Sequence, residues 1–510
     1  MSHIPALTPA RFARHWDLAG WSSQFLLWVT IVGLAAALAW LPVVLAAALV
    51  VGGGFAALVL IRPVWALVLL PFAVPFGSIA DIRIGPAQVG GTEALVGLFL
   101  AGWLARGVAR RELRLPRPPL IVPLGLWLGA QALSVLGALS LAASLKELSK
   151  WGEVAALYII AAHELRRRDV ILVVAMLLLA GAVAGAQGLV QALLRLGPAG
   201  FLFPLAGRLW LRAYGTFLQP NPYSGYLGVT LPLAYGIGAV LLGFGATGTH
   251  LASSKKPVAE SARRGAILAY TAVTGGVMVL GLFFSLSRGA WIGAGVAAIA
   301  VGVLLSRRAL VGSLVIAMLA ALSLAVGGAA RLPAAFRQRA TDFLPYLGLI
   351  DIRRVEINDA NFAVIERLAH WWAAIGMFSD RPWLGVGIGN YAAVYPAYAL
   401  PRWQDPLGHA HNFYLNVAAE TGLAGLVTYL VFWAAALGLT WQAVRRTTGL
   451  WRGIAVGCLG AFIHLAVHNF FDNLYVHGIY LQIALLLAIV AVLVRDNASA
   501  ARPGLSHPGQ

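Results

Sequence analysis

Fourteen apolar stretches follow one another along this chain, most of them separated by short arginine-bearing connections. They lie near residues 22–39, 42–61, 64–80, 93–109, 119–139, 151–163, 170–194, 223–246, 265–285, 290–305, 309–327, 413–439, 453–467 and 477–494. A helix crossing the hydrocarbon core of a bilayer needs about 20 apolar residues. The third and sixth stretches are short by that measure, so 12–14 spans are expected. In hydrocarbon every backbone polar group must be bonded within the protein, which leaves helices or a closed barrel; stretches of this length give an all-α polytopic transmembrane bundle. Composition agrees, with 60% hydrophobic and 11% charged residues and a mean hydropathy of +0.81. So few charges cannot cover a water-soluble surface. Abundant apolar residues exclude a disordered chain, and Cys458 alone excludes a disulfide scaffold. Met1 to Gly20 carries Arg11, Arg14 and Asp17 with no apolar core before them, so no cleavable signal is expected.

The net charge of +18 could suggest nucleic acid, but the basic residues form neither one face nor one tail. They sit in clusters between spans: Arg106 to Arg117, Arg166 to Arg168, Lys255 to Arg264, Arg307 and Arg308, Arg445 to Arg452. With both termini cytoplasmic, 22 of 37 basic and 6 of 19 acidic residues fall inside. The inside then carries +16 and the outside +2, as the positive-inside rule requires. Most of the charge is an orientation signal in a cytoplasmic (inner) membrane, and no nucleic-acid partner is expected. Eight basic residues remain in one extracytoplasmic loop, residues 328–412, of 85 residues. Long loops are uncommon unless functional. Trp371, Trp372, Trp383, Trp403, Tyr391, Tyr395 and Tyr398 suit a small cap of short helices on the membrane surface. The expected organisation is 1–200 N-terminal spans, 201–327 spans with an arginine motif, 328–412 the loop domain, 413–494 C-terminal spans and 495–510 a disordered cytoplasmic tail.

Five motifs fall on the extracytoplasmic side of that topology. HAHNFYLNVAAETGLAG places His409, His411 and Asn412 at a membrane edge, with Glu420, Gly422 and Gly425 following. A neutral imidazole there can accept a proton from a hydroxyl; the plainer alternative is an interfacial histidine satisfied by backbone. FSLSRGAWIGAGVA sets Arg288 between two spans, where a guanidinium must be paired, used for phosphate oxygens, or snorkelling to the interface. ERLAHWWAAIGMFSDRPWLGVGIGNY aligns Arg367, His370 and Trp371 on one helix face. Its Gly385-x-Gly387-x-Gly389 run reads as a turn, since no βαβ unit surrounds it. LRAYGTFLQPNPYSGYL carries Arg212 and an irregular helix start at Pro220 and Pro222. HNFFDNLYVHG, after His464, holds His468, Asp472 and His477. These lack a third close ligand of zincin type, so an outer vestibule or arginine partnership is expected. Cations, imidazoles and aromatic faces on one side suit an anionic phosphate at membrane level with a sugar extending into water.

SRGAWIG, GTFLQPNPYSGYL and above all His411-Asn412 followed after nine residues by Gly422-x-x-Gly425 resemble the O-antigen ligase / O-antigen polymerase superfamily, over roughly residues 200–480. The resemblance implies a GT-C-like bundle and an inverting, metal-independent glycosyltransferase of cell-surface polysaccharide biosynthesis, including lipopolysaccharide. The donor it implies is an undecaprenyl-diphosphate-linked glycan; the acceptor is a glycan, lipid or protein hydroxyl, which divides ligase, polymerase and protein O-oligosaccharyltransferase. His411 matches the superfamily's base, Arg288 its diphosphate-binding arginine, and Arg367 its loop-borne arginine, with Arg212 the competitor. Arg212, His409, Asn412, Trp371 and Asp472 are expected to bind substrate. No metal and no cofactor are expected, and membrane lipids surround the protein. The adjacent His409 leaves open which histidine acts. A lipid-linked saccharide transporter or flippase is the alternative of another class, which would call for symmetry-related halves and midplane charges.

Overall fold

A computed structural model describes residues 39–77, 82–84, 87–205, 208–244, 258–305, 355–358 and 361–500, with residues 25, 28–33, 36, 311, 315, 318, 322 and 353 besides. The chain divides into two compact units, Met1–Leu58 and Val59–Gln510. The first holds most of α1 (Val43–Ile61), whose residues from Val59 on belong to the second. The second contains α2 (Val64–Phe76), α3 (Gly91–Ala109), α4 (Ile121–Ser134), α5 (Leu141–Glu164), α6 (Arg167–Leu194), α7 (Pro220–Leu241), α8 (Val258–Phe284) and α9 (Arg288–Leu305). It continues with α10 (Phe362–Asp380), α11 (Tyr391–Val394), α12 (Phe413–Arg446), α13 (Gly449–His468) and α14 (Ile479–Ala500). Seven of the described helices are long and apolar enough to cross a membrane. The protein is an all-α, multi-pass membrane protein.

Hydropathy and helix length part company in three places. The 64–80 stretch is only the 13-residue α2, with Pro71 and Pro75 inside it; at 1.5 Å per residue it is about 20 Å long, short of the core thickness. The 151–163 stretch is the second half of the 24-residue α5, whose first half carries Lys146, Glu147 and Lys150. Those charges interrupt the hydropathy but not the backbone hydrogen bonds. The helix α14 runs on to Ala500, into the segment expected as a tail. The expected span at 309–327, but for single positions, and the loop residues 328–352 lie outside the described residues.

Two short antiparallel hairpins also form, β1 (Ile82–Ile84) with β2 (Ala87–Val89), and β3 (Leu202–Leu205) with β4 (Arg208–Leu211). The second pairs Leu202 with Leu211 and Leu205 with Arg208.

Helices in a bilayer gain little from burying apolar surface against each other, so close approach through small residues carries their packing. The tightest crossing here joins α7 and α13. A Cβ on Gly236 would stand 2.9 Å from the Gly453 carbonyl oxygen, and one on Gly457 2.6 Å from Leu233 Cα. The neighbours are backbone and cannot yield. Gly457→Leu is therefore expected to abolish monodisperse protein on size exclusion, while Gly295→Leu, where a Cβ meets nothing within 4 Å, leaves the yield unchanged.

The glycine run after α10 has a structural use. Gly385, Gly387 and Gly389 have φ of +68°, +103° and +74°, a region L side chains avoid. This lets the loop pair with a break in α12, where Gly422 has φ +63° and ψ −162°. Val386 and Gly387 donate to the carbonyls of Ala419 and Glu420, and Leu423 and Ala424 donate to those of Pro382 and Trp383. The broken helix thus recovers hydrogen bonds, as irregular backbone in a membrane protein requires. The same loop is pinned on its other side by the Arg381 guanidinium on Gly137 O (2.8 Å) and by Asn390 Oδ1, which accepts the Ser140 N–H (2.6 Å).

Candidate functional site

Four chain segments converge at one end of the bundle. The β3–β4 hairpin delivers Arg212, whose N–H bonds Phe201 O and whose Nε donates to Ser285 O at 2.9 Å. The α8–α9 turn, with Leu286 at φ +53°, delivers Ser287, Arg288 and the N-terminus of α9. Gly289 lets that turn lie against α13, since a Cβ there would stand 2.9 Å from Phe471 Cβ and 3.0 Å from His468 Cδ2. The helix α10 presents Arg367 and Trp371 four residues apart, on one face. The α13–α14 loop contributes Asp472. Together Arg212, Arg288, Arg367, Trp371, His468 and Asp472 line a cavity of about 260 Å³, along with Asn221 and Ser287.

The α13–α14 loop is held firmly. Asn469 O accepts the Phe413 N–H at 2.7 Å and Asn469 Oδ1 accepts the Leu474 N–H. The Tyr475 hydroxyl pairs with Tyr429 and accepts Trp433 Nε1–H, each at 3.0 Å. Asp472 is thereby fixed, with Oδ2 accepting from Asn221 Nδ2 at 2.7 Å and Oδ1 from the Asn473 N–H at 2.9 Å. That Oδ1 also faces both histidines, His409 Nε2 at 3.6 Å and His411 Nδ1 at 3.7 Å. The two imidazoles contact Asp472 but are not among the residues that line the cavity.

The histidines differ. His409 Nδ1 accepts the His411 backbone N–H at 3.0 Å, which leaves the proton of a neutral His409 on Nε2, toward Asp472. Neither ring nitrogen of His411 has a hydrogen-bond partner among the described residues, although both are buried. His411 is also held at φ +51°, a left-handed conformation that costs a non-glycine residue of order 1–3 kcal/mol. A buried, unsatisfied imidazole on a strained backbone is unlike a histidine kept for stability. His370, by contrast, turns away: its Nδ1 meets the Tyr391 hydroxyl at 3.0 Å, and its ring stacks on Tyr395. Asn412 caps α12, its side chain accepting the Leu415 N–H at 3.1 Å, and Glu420 accepts the Tyr391 N–H. Asn221, which lines the cavity, lies within the fourth motif but carries no expected role there. Its signal was the pair of prolines around it, which set a helix start where a side-chain amide can reach a neighbouring loop.

Burial lowers the His409 imidazole to about 4, against the opposing pull of Asp472. Burial, helped by His411, likewise lowers His370 to about 4. Burial alone would raise the Asp472 carboxyl; the His411 and His409 rings and the Arg367 guanidinium outweigh it and hold it well below the usual carboxylate range. His409 and His370 are therefore neutral in the fold, whereas the unfolded chain protonates them near 6.5. Between those values the unfolded state binds more protons, so stability is full above pH 6.5 and falls as pH drops toward 4. Each histidine accounts for up to about 3 kcal/mol of that loss. Asp472 adds no loss in this window, since its carboxylate persists below the range where free carboxyls titrate. Thermal unfolding in detergent at pH 7.5 and 4.5 checks this, and an unchanged midpoint contradicts the burial of both rings.

His409, His411 and Asp472 bring one potential metal-ligand atom each to within 4.8 Å of one another, a donor set of the two-histidine, one-carboxylate kind. Opposing this, Arg367 already places positive charge on Asp472, and a divalent cation would add to it.

Three guanidinium groups thus surround one cavity at one end of a multi-pass helical bundle, an arrangement whose charge is complementary to an anion. Residues 273–430 match the protein-family model described as O-Antigen ligase. Over that stretch the chain is similar to O-antigen ligases, and the resemblance read from SRGAWIG and the His-Asn motif is borne out there. No curated protein matches the chain. Arg212 and Asp472 lie outside the matched residues, yet the fold closes them into the same cavity as Arg288 and Arg367.

Proposed function

We propose that this protein is a metal-independent, inverting glycosyltransferase of the O-antigen ligase type. It transfers an undecaprenyl-diphosphate-linked glycan to an acceptor hydroxyl on the extracytoplasmic face of the cytoplasmic membrane. The observation that carries this reading is the single cavity lined by Arg212, Arg288, Arg367 and Asp472, with the His409–His411 pair against Asp472.

In this mechanism the donor's diphosphate sits among the arginines. The α9 N-terminus adds its positive dipole end. The acceptor hydroxyl attacks the anomeric carbon on the face opposite the diphosphate. The bond from that carbon to the diphosphate oxygen breaks, and negative charge grows on the leaving group. Guanidinium donors aimed at that growing charge stabilise the transition state, each worth roughly 2.7–4 kcal/mol in a water-poor site. Asp472 orients the imidazole by facing Nδ1, so that His411 Nε2 takes the hydroxyl proton as the new bond forms. The activated diphosphate supplies the driving force, and no nucleotide is consumed.

The test is transfer in proteoliposomes from an undecaprenyl-diphosphate oligosaccharide to candidate acceptors: lipid A–core, a second lipid-linked repeat, or a peptide hydroxyl. Transfer to one of them is expected, with the rate unchanged by EDTA. A loss in EDTA that zinc or manganese restores would instead make His409, His411 and Asp472 metal ligands. Flipping of the lipid-linked donor with no transfer to any acceptor would sink the enzyme reading.

A further inference from the structure

A second cationic cavity lies at the other end of the bundle. The helix α3 begins beside the α13–α14 loop, where the Tyr480 hydroxyl donates to Glu93 at 3.0 Å. Nineteen residues later, about 28 Å along the axis, it ends at a cavity of about 470 Å³ where Arg106, Arg110, Arg111 and Arg114 outnumber the two carboxylates, Glu112 and Glu164, with Trp103 and His163 beside them.

The chain turns back on itself to build it. The N–H groups of Arg111 and Glu112 bond Val108 O and Gly107 O, the pattern of a Schellman helix end. The left-handed residue of that motif is ordinarily glycine, yet here it is Arg111, at φ +54°. Leu113 then folds over Gly107, where a Cβ would stand 2.7 Å from Leu113 Cδ1. Residues 112–118 run on without regular structure, alternating Leu113 and Leu115 with Arg114 and Arg117.

Charge at a cytoplasmic helix end is what the positive-inside rule produces anywhere, and cations suit a helix C-terminus. Neither requires a cavity, nor an arginine in a glycine position. The ion partners are also unevenly shared. Arg106 pairs with Glu164, and Arg495 caps the carbonyls of Ala162, His163 and Leu165. Among the described residues, Arg110, Arg111 and Arg114 make no ion pair or side-chain hydrogen bond. Beside them Leu104, Val108, Leu113 and Leu115 are 47–68% exposed, an apolar margin next to unpaired guanidinium groups.

We propose that this cavity binds the phosphate headgroup of an anionic phospholipid from the adjoining leaflet, its acyl chains lying along Leu104, Val108, Leu113 and Leu115. Basic pockets between helices on the cytoplasmic side recognise such headgroups. Trp103 lines the same cavity, and indole rings favour the membrane interface. The apolar margin is what distinguishes a lipid from a free phosphate as the occupant.

Native mass spectrometry of the full chain, released from detergent containing cardiolipin, phosphatidylglycerol or phosphatidylethanolamine, tests it. Anionic lipid is expected to be retained at least about tenfold over phosphatidylethanolamine. The triple variant Arg110→Ala, Arg111→Ala, Arg114→Ala should lose that preference, while Arg445→Ala with Arg446→Ala keeps it. Arg111→Gly relieves the left-handed strain, so it should fold at least as well as the parent and still weaken retention. Equal retention of anionic and zwitterionic lipid overturns the proposal, as does a triple variant that behaves like the parent. Saturable binding of inorganic phosphate to delipidated protein, with no lipid preference, also overturns it by assigning the pocket to a soluble anion. None of these variants touches the glycan site, so the outcome is independent of the transfer assay.

Discussion

His411→Ala is expected to lower the rate of glycan transfer by roughly 10²–10⁴-fold, the range contributed by a positioned general base, with the folded yield unchanged. The imidazole's near polar neighbour is Asp472 Oδ1 at 3.7 Å, a carboxylate that Asn221 and the Asn473 N–H also hold, and alanine carries a left-handed φ no better than histidine. Stability therefore changes little while the proton acceptor disappears. Added imidazole should restore part of the rate, because the substitution leaves a ring-sized space. His409→Ala should cost less. It removes the acceptor for the His411 backbone N–H and so loosens the loop, but leaves the base itself. Asp472→Asn separates orientation from shape: the amide keeps the volume and can still accept a hydrogen bond, but it loses the charge that stabilises an imidazolium. A loss approaching that of His411→Ala is expected, since an aspartate that orients a catalytic histidine contributes up to about 10⁴-fold in serine proteases. Full activity in His411→Ala, measured as single-turnover transfer in proteoliposomes, removes the base from the mechanism.

Much of this molecule is legible in its residues, because a bilayer imposes so few choices. Apolar run length and arginine placement determine the class of fold and the expected topology without any tertiary information. The arginines also announce themselves, since a guanidinium beside a span is expensive unless it is used. What the pattern cannot carry is convergence. Arg212 and Arg367 stand as competitors for one role when read along the chain, whereas the hairpin at Leu202–Leu211 and the helix Phe362–Asp380 bring both to a single cavity. Asp472 reads equally well as a vestibule residue or an arginine partner. Only the bonds from Asn469 and Tyr475 across to α12 determine that it faces the two histidines. His370 shows the converse. It shares a helix with Arg367 and Trp371, yet one residue of offset turns it onto Tyr391 and Tyr395 and out of the cavity. The break at Gly422 was hidden for a similar reason. Gly422 and Gly425 look like small residues for helix approach, but the first is needed for its φ of +63°, a demand set by the Pro382–Trp383 backbone lying against it.

The second large effect is expected from the arginines. Arg288→Ala and Arg367→Ala should each reduce the transfer rate by about 10²–10³-fold, the loss measured when one donor to a developing charge is removed. Arg→Lys at either position should recover only part of it. An ammonium keeps the charge but not the planar fork that matches two phosphate oxygens at once. The more informative measurement is the double variant. If both guanidinium groups grip one diphosphate, each single variant already misplaces the leaving group for the other. The double loss should then fall well short of the product of the single losses, as for residues that act as a unit. Independent roles, such as one arginine on the diphosphate and one on a sugar carboxylate, predict that the losses multiply. Arg212 supplies a control within the same cavity. Its Nε is committed to Ser285 O, so Arg212→Ala also loosens the turn that carries Arg288, and its coupling to Arg288 should be large. Wild-type rates in either single alanine variant, in protein that remains folded, would leave the cavity without its proposed leaving-group grip. The three arginines would then have to be explained by anion binding that has no part in the chemical step.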